Sequence, residues 1–157
     1  MFFAGTHDLT LDPQNRLSIP ANIRAGLDPA VDGIDFYVVP GKQETMLTTL
    51  YLFPERGFER YADEQSRLLK PGRALEDWEL IFFAHATLME VDKQGRVLLP
   101  QWAVEKAGLK KQVKLTGARN RLVLWDREAF EKYTEQNWSR QADLKEQATG
   151  GLGVPSA

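Results

Sequence analysis

Residues 6–20, THDLTLDPQNRLSIP, return eighty positions later as residues 87–100, TLMEVDKQGRVLLP. In this alignment Asp12 meets Asp92, Arg16 meets Arg96 and Pro20 meets Pro100. Leu9, Leu11, Leu17 and Ile19 fall on Met89, Val91, Val97 and Leu99. A second alignment, offset by 72, sets Leu50, Leu52, Phe53, Phe58 and Tyr61 on Leu122, Leu124, Trp125, Phe130 and Tyr133. Two copies of one module therefore fill most of the chain. Repeated units usually bury their apolar faces against each other rather than alone.

Each copy alternates apolar and polar residues, as in Leu9-Thr10-Leu11 and Leu17-Ser18-Ile19, with the period of strands that bury one face. The segment between them, DPQNR at 12–16 or DKQGR at 92–96, reads as a hairpin turn. Asp can accept backbone N–H bonds there, and Asn15 or Gly95 can take the left-handed conformation that closes the loop. Pro20 and Pro100 open short helices that Gly26 and Gly108 stop. A second hairpin comes next in each copy, at 36–39 with 46–53 and at 113–116 with 121–125. The extra length at 40–45 is taken as connection. Residues 73–83 (RALEDWELIFF) place Leu75, Trp78, Ile81 and Phe82 at helical spacing and read as a buried helix joining the halves. The boundaries expected are module one at 5–54, linking helices at 55–84, module two at 85–128, a C-terminal helix at 129–147 and a disordered tail at 148–157.

At 157 residues the chain fits one fused domain built from two halves that are each marginal alone. Without cysteine, disulfides and thiolate metal sites are excluded. No window approaches the ~20 apolar residues of a membrane span, so no membrane partner is expected. The formal net charge is −2, yet residues 93–121 carry eight basic groups and one acidic group. This stretch is either a solvated, charged sheet edge or a cationic surface that favours copy two as an anion-binding site.

Catalytic constellations are poorly represented. There are two histidines, His7 and His85, no cysteine nucleophile, no phosphate loop and no metal-spaced histidine pair. His85 reads as a structural hydrogen-bonding residue, and Asp63 and Glu64 as a solvated helix face. No enzyme activity and no cofactor are expected. The repeated D-x-x-x-R pair allows two readings. In one it merely closes its turn, contributing ~0–1 kcal/mol as an exposed ion pair. In the other, Asp12 and Asp92 orient Arg16 and Arg96 so that each guanidinium faces outward, toward phosphates or guanine O6 and N7.

At these residues the chain resembles the MraZ family of bacterial transcriptional regulators. The hallmark of that family is two D-x-x-x-R motifs in tandem swapped-hairpin modules similar to those of AbrB and SpoVT. The likeness spans about residues 1–147: Met1-Phe2, Leu11-Asp12, Arg16-Leu17, Pro20, His85-Ala86, Asp92, Gly95-Arg96, Pro100, Ala107-Gly108-Leu109 and Leu124-Trp125-Asp126. It implies an α+β, β-rich fold of two pseudo-symmetric SpoVT/AbrB-like modules sharing one β-barrel-like core flanked by helices. It further implies a ring-shaped homo-oligomer in the cytoplasm and nucleoid, bound to double-stranded DNA at promoter direct repeats of the division and cell wall gene cluster. The DNA-contact candidates are Arg16 with Asn15, Gln14 and Arg24, and in copy two Arg96 with Lys93. The chain departs from the common pattern at Asn15, where Gly is usual, and at Gln14 and Gln94, where Lys is often found; the latter change removes a potential phosphate contact. The competing reading is a structural or protein-interaction assembly whose hairpins stitch subunits together.

Overall fold

The computed structural model describes residues 1–44 and 46–150 and forms two units, divided between Asp126 and Arg127. The first unit contains both D-x-x-x-R motifs and the strands of both copies. In chain order its elements are β1 (Thr6–Thr10), β2 (Arg16–Ser18), α1 (Ala21–Ala25), β3 (Phe36–Glu44), β4 (Leu47–Pro54), α2 (Glu55–Leu68), α3 (Arg73–His85), β5 (Thr87–Met89), β6 (Arg96–Leu98), α4 (Gln101–Lys106), β7 (Gln112–Gly117) and β8 (Leu122–Asp126). The second unit comprises α5 (Arg127–Asn137), a 3₁₀ turn at Trp138–Arg140 and α6 (Gln141–Thr149). The single C-terminal helix read at 129–147 is thus interrupted, and its last turn reaches two residues further. Residues 151–157, most of the expected tail, lie outside the described residues.

The class is α+β, as the sequence leads one to expect, but the core is not a barrel. Six antiparallel strands form an open sheet in the order β1-β7-β8-β4-β3-β5, and β2 pairs with β6 in a separate two-stranded ribbon. The strands do exchange between the copies, as the likeness to swapped-hairpin modules implies. The arms flanking each D-x-x-x-R turn do not pair with each other as a simple hairpin would. Instead β1 pairs with β7 of the other copy, β5 pairs with β3, and β2 pairs with β6. Each copy inserts its first two strands into the opposite half. The second hairpins, β3–β4 and β7–β8, do pair internally.

Two pairings locate the pseudo-twofold axis. Tyr51 faces Val123, its own counterpart at the 72-residue offset, and Leu17 faces Val97, its counterpart at the 80-residue offset. The axis therefore runs through the middle of the large sheet and the middle of the ribbon. Along it the alternation of the strands sorts the core. Phe36, Val38, Leu50, Leu52, Val113, Leu115, Leu122 and Leu124 meet Leu17, Ile19, Val97 and Leu99 of the ribbon, Ile23 of α1 and Ala103 of α4. Val39 and Phe53 point the other way, onto Phe58 of α2 and Phe82 of α3. There the Phe53 and Tyr61 rings stack at 4.7 Å and so do Trp78 and Phe82, arrangements worth ~0.5–1.5 kcal/mol beyond burial.

Two expectations change. Residues 40–44 continue β3 rather than forming a connection, with a register shift between Pro40 and Gln43. Helix α3 is buried through Phe82, while Leu80 and Ile81 are 72% and 64% exposed, so it is a half-covered helix. The glycines follow their helices as expected, Gly26 in right-handed backbone and Gly108 in the left-handed region at φ +58°.

Candidate nucleic-acid interface

The two D-x-x-x-R turns flank the β2–β6 ribbon, one preceding each strand. In turn one the Asp12 Oδ1 accepts the backbone N–H groups of Gln14 and Arg16 at 2.9 and 2.8 Å. In turn two the Asp92 Oδ1 accepts those of Gln94 and Arg96 at 2.8 and 2.9 Å. One carboxylate thus organises each loop through charge-assisted bonds. The Arg96 N–H first, and then that of Gln94, hold the Asp92 carboxyl below its ordinary range, with the Arg96 guanidinium helping.

The last residue of each loop takes positive φ, Asn15 at 65° and Gly95 at 79°. This aims its carbonyl across the ribbon. Leu99 N–H donates to Asn15 O at 3.0 Å and Ile19 N–H donates to Gly95 O at 2.9 Å, a pair related by the pseudo-twofold. Each loop is therefore anchored by the strand end of the other copy.

The arginines differ in how tightly they are held. Arg96 Nε donates to Asp92 Oδ2 at 3.1 Å, whereas Arg16 Nη1 stands 3.8 Å from Asp12 Oδ2. Both pairs are solvent-facing and worth little in stability. The turn-closing reading thus fits the aspartates, whose work is on the backbone, better than the arginines. Because β2 and β6 register as Arg16↔Leu98, Leu17↔Val97 and Ser18↔Arg96, the central pair points into the core. Arg16, Ser18, Arg96 and Leu98 then share the outer face. Arg16 and Arg96 are diagonal neighbours there, with Cα atoms ~7–8 Å apart.

Structure regroups the other candidates. Gln14 and Asn15 belong to turn one and Lys93 to turn two, as read from the sequence. Arg24 does not join Arg16. From α1 its Nε donates to Ile19 O at 3.0 Å, and its guanidinium lies over the second turn, where a Cβ on Gly95 would come within 2.6 Å of Cζ. This explains the unequal loops. Gly95 is buried beneath Arg24, while the counterpart of Arg24 at the 80-residue offset is the shorter Val104, and the first loop accommodates Asn15.

Strand exchange also redistributes the basic stretch. Leu11 N–H donates to Lys111 O at 2.9 Å, so Lys110 and Lys111 flank turn one rather than turn two. At the matching place beside turn two, Val91 N–H donates to the Asp35 carboxylate at 2.9 Å. Lys114 is paired with Asp8 at 2.6 Å, and Arg121 lies 4.4 Å over the Tyr51 ring. The sequence segment is cationic, yet it does not make one cationic surface at copy two. Lys110 and Lys111 could not be assigned to turn one from local pattern, because only the exchange brings them there. His85 is structural, its Nδ1 2.7 Å from Ile81 O and its ring edge-on to Trp102.

A protein-family model described as "MraZ protein, putative antitoxin-like" matches residues 82–151, which take in the second copy together with α5 and α6. Curated relatives extend the likeness to both copies. A Transcriptional regulator MraZ of Kineococcus radiotolerans is 33% identical over 96% of this chain and 99% of its own length. The protein of the same name from Salinispora tropica is 35% identical over the same shares. One from Finegoldia magna is 30% identical over 85% of this chain and 87% of its own length. The chain belongs to the MraZ family. Within this MraZ chain the paired turns and the ribbon between them form the surface on which the repeated motif converges. No helix among its described residues is long and apolar enough to cross a membrane.

Proposed function

We infer that this chain is a sequence-specific DNA-binding transcriptional regulator whose β2–β6 ribbon docks on double-stranded DNA. The observation that carries this reading is the outer ribbon face. There Arg16 and Arg96 emerge on either side of the pseudo-axis, from loops fixed by Asp12 and Asp92. A two-stranded ribbon fits the major groove, and an arginine fork matches guanine O6 and N7 or a phosphate. Gln14, Asn15 and Lys93 stand at the loop tips for backbone contacts, Arg24 adds a cation to turn two, and Lys110 and Lys111 add charge beside turn one. Arg16, less committed to its aspartate, makes the principal contact. Relatives that share both copies are named transcriptional regulators, which supports the same conclusion and a non-enzymatic role.

The chain acts as a ring-shaped homo-oligomer on promoter direct repeats of the division and cell wall gene cluster, in the cytoplasm and nucleoid. Weak modules spaced to match repeats gain ~10²–10⁴ in avidity when linked in one assembly. Leu80 and Ile81 on α3 supply an uncovered apolar face for subunit contact. The same face favours a second reading, a protein-interaction assembly without direct DNA contact.

Gel shifts with the region upstream of the protein's own gene, against scrambled DNA, separate the two. Arg16→Ala and Arg96→Ala are expected to abolish or severely weaken the shift with the mass in light scattering unchanged. Variants that bind DNA as wild type, or that lose the oligomer instead, refute the ribbon as the DNA-contacting surface.

A further inference from the structure

The ribbon's outer face carries a break in symmetry that bears on what sequence it reads. Arg16 and Arg96 are equivalents at the 80-residue offset, but the other two outward residues, Ser18 and Leu98, are equivalents that differ in chemistry. The bonds joining Asn15 to Leu99 and Ile19 to Gly95 mark the odd-numbered pairs as the hydrogen-bonded ones. The Arg16–Leu98 and Ser18–Arg96 pairs are therefore the close, non-hydrogen-bonded type, in which side chains lie nearest each other. Leu98 is 59% exposed beside Arg16. Its neighbours in the core, Leu17 and Val97, are fully buried, so a leucine on the outer face is not a spill-over of packing.

The geometry points to Leu98 as a specificity-determining residue that reads a thymine 5-methyl group, with Ser18 facing a polar base edge on the other side of the axis. This rests on the DNA-binding reading above and deepens it. An apolar side chain set against an arginine gives a two-part reader: the guanidinium addresses a guanine or phosphate, and the leucine packs on the methyl of a nearby thymine. Two symmetric arginines alone would read a site the same in both directions. The Ser18/Leu98 difference gives each ribbon a polarity, so a single site reads differently in its two directions.

The test uses the full chain on the bound upstream fragment, with each thymidine replaced singly by deoxyuridine, which lacks only the 5-methyl group. The wild-type protein is expected to lose about four-fold in affinity at one thymine per bound repeat, the worth of one methyl buried in an apolar contact. L98S should bind with unchanged oligomeric mass and lose nothing at that position. S18L should acquire a second methyl-sensitive position across the axis. Identical uridine profiles for wild type and L98S overturn the assignment, as does a change of oligomeric mass in L98S, which would put Leu98 in a subunit interface. A wild-type protein that binds no DNA defeats the proposed function itself. One that binds well and ignores every uridine defeats only the methyl reader.

Discussion

Replacing Gly95 with Asn transplants the residue of the first loop into the second and isolates the contact that separates them. Asn15 already sits at φ 65° in this protein, close to the 79° of Gly95, so conformation alone is not prohibitive for Asn. The obstacle is Arg24, whose Nε would stand 2.7 Å and whose Cζ 2.6 Å from the new Cβ. These atoms end a flexible side chain, so the guanidinium moves away and gives up its 3.0 Å bond to Ile19 O. A hydrogen bond from a charged donor contributes ~1.5–3 kcal/mol, and Arg24 is exposed, so the lower end applies. The expected destabilisation is about 1.5 kcal/mol in urea unfolding at fixed protein concentration. In an Arg24→Ala background, where that bond is already gone and the space is open, Gly95→Asn should cost no more than a few tenths of that. The coupling between the two substitutions is therefore about 1 kcal/mol, measurable by a double-mutant cycle. Equal costs in both backgrounds would refute the claim that a helix of copy one shapes the turn of copy two.

Leu17→Ala, on the axis at 0% exposure, should cost ~2–5 kcal/mol, while Ser18→Ala next to it stays within about 0.5 kcal/mol by the same assay. Asp92 should titrate by NMR below the ordinary value of 3.8. Since its folded value is depressed, its contribution is present above the unfolded value and lost as pH falls through the folded one. Gln94 and Arg96 amide protection should then decline together in that acid window, and a midpoint at or above 3.8 would contradict the bonding described. At Gly117 a Cβ would lie 2.3 Å from the Ala4 backbone nitrogen. Gly117→Ala should therefore break the Phe3–Arg119 bridge, cost ~1–3 kcal/mol and expose residues 1–5 to proteolysis; unaltered cleavage would refute that docking.

Much of the fold was legible in the chain because it is local. The repeat fixes two like modules, the Asp and Gly of DKQGR mark a turn with a left-handed residue, and the alternation of Leu9 to Ile19 separates inner from outer side chains. Partner choice was not legible in the residue pattern and came only with the family resemblance, whose swapped hairpins the exchange bears out. Leu17 pairing with Val97 looks, over any short window, the same as Leu17 pairing back on Leu11, since a period of two records which face is buried and not what covers it. The placement of Arg24, Lys110 and Lys111 was hidden for that reason, each reaching a turn set by the other copy. Helix α3 misled in the opposite sense, as Ile81 and Phe82 are adjacent apolar residues and only one of them can face the sheet.

The exchange of strands also sets a timetable for synthesis. Thr10 meets Gln112, 102 residues downstream, so β1 has no ladder partner until nearly three-quarters of the chain has left the ribosome. At ~5–20 residues per second that is a wait of roughly 5–20 s with β1 unpaired. During that interval the second half of a neighbouring nascent chain offers the same edges as the molecule's own. The protein's yield in the cell should thus depend on how crowded its messenger is with ribosomes, an unusual sensitivity for so short a polypeptide.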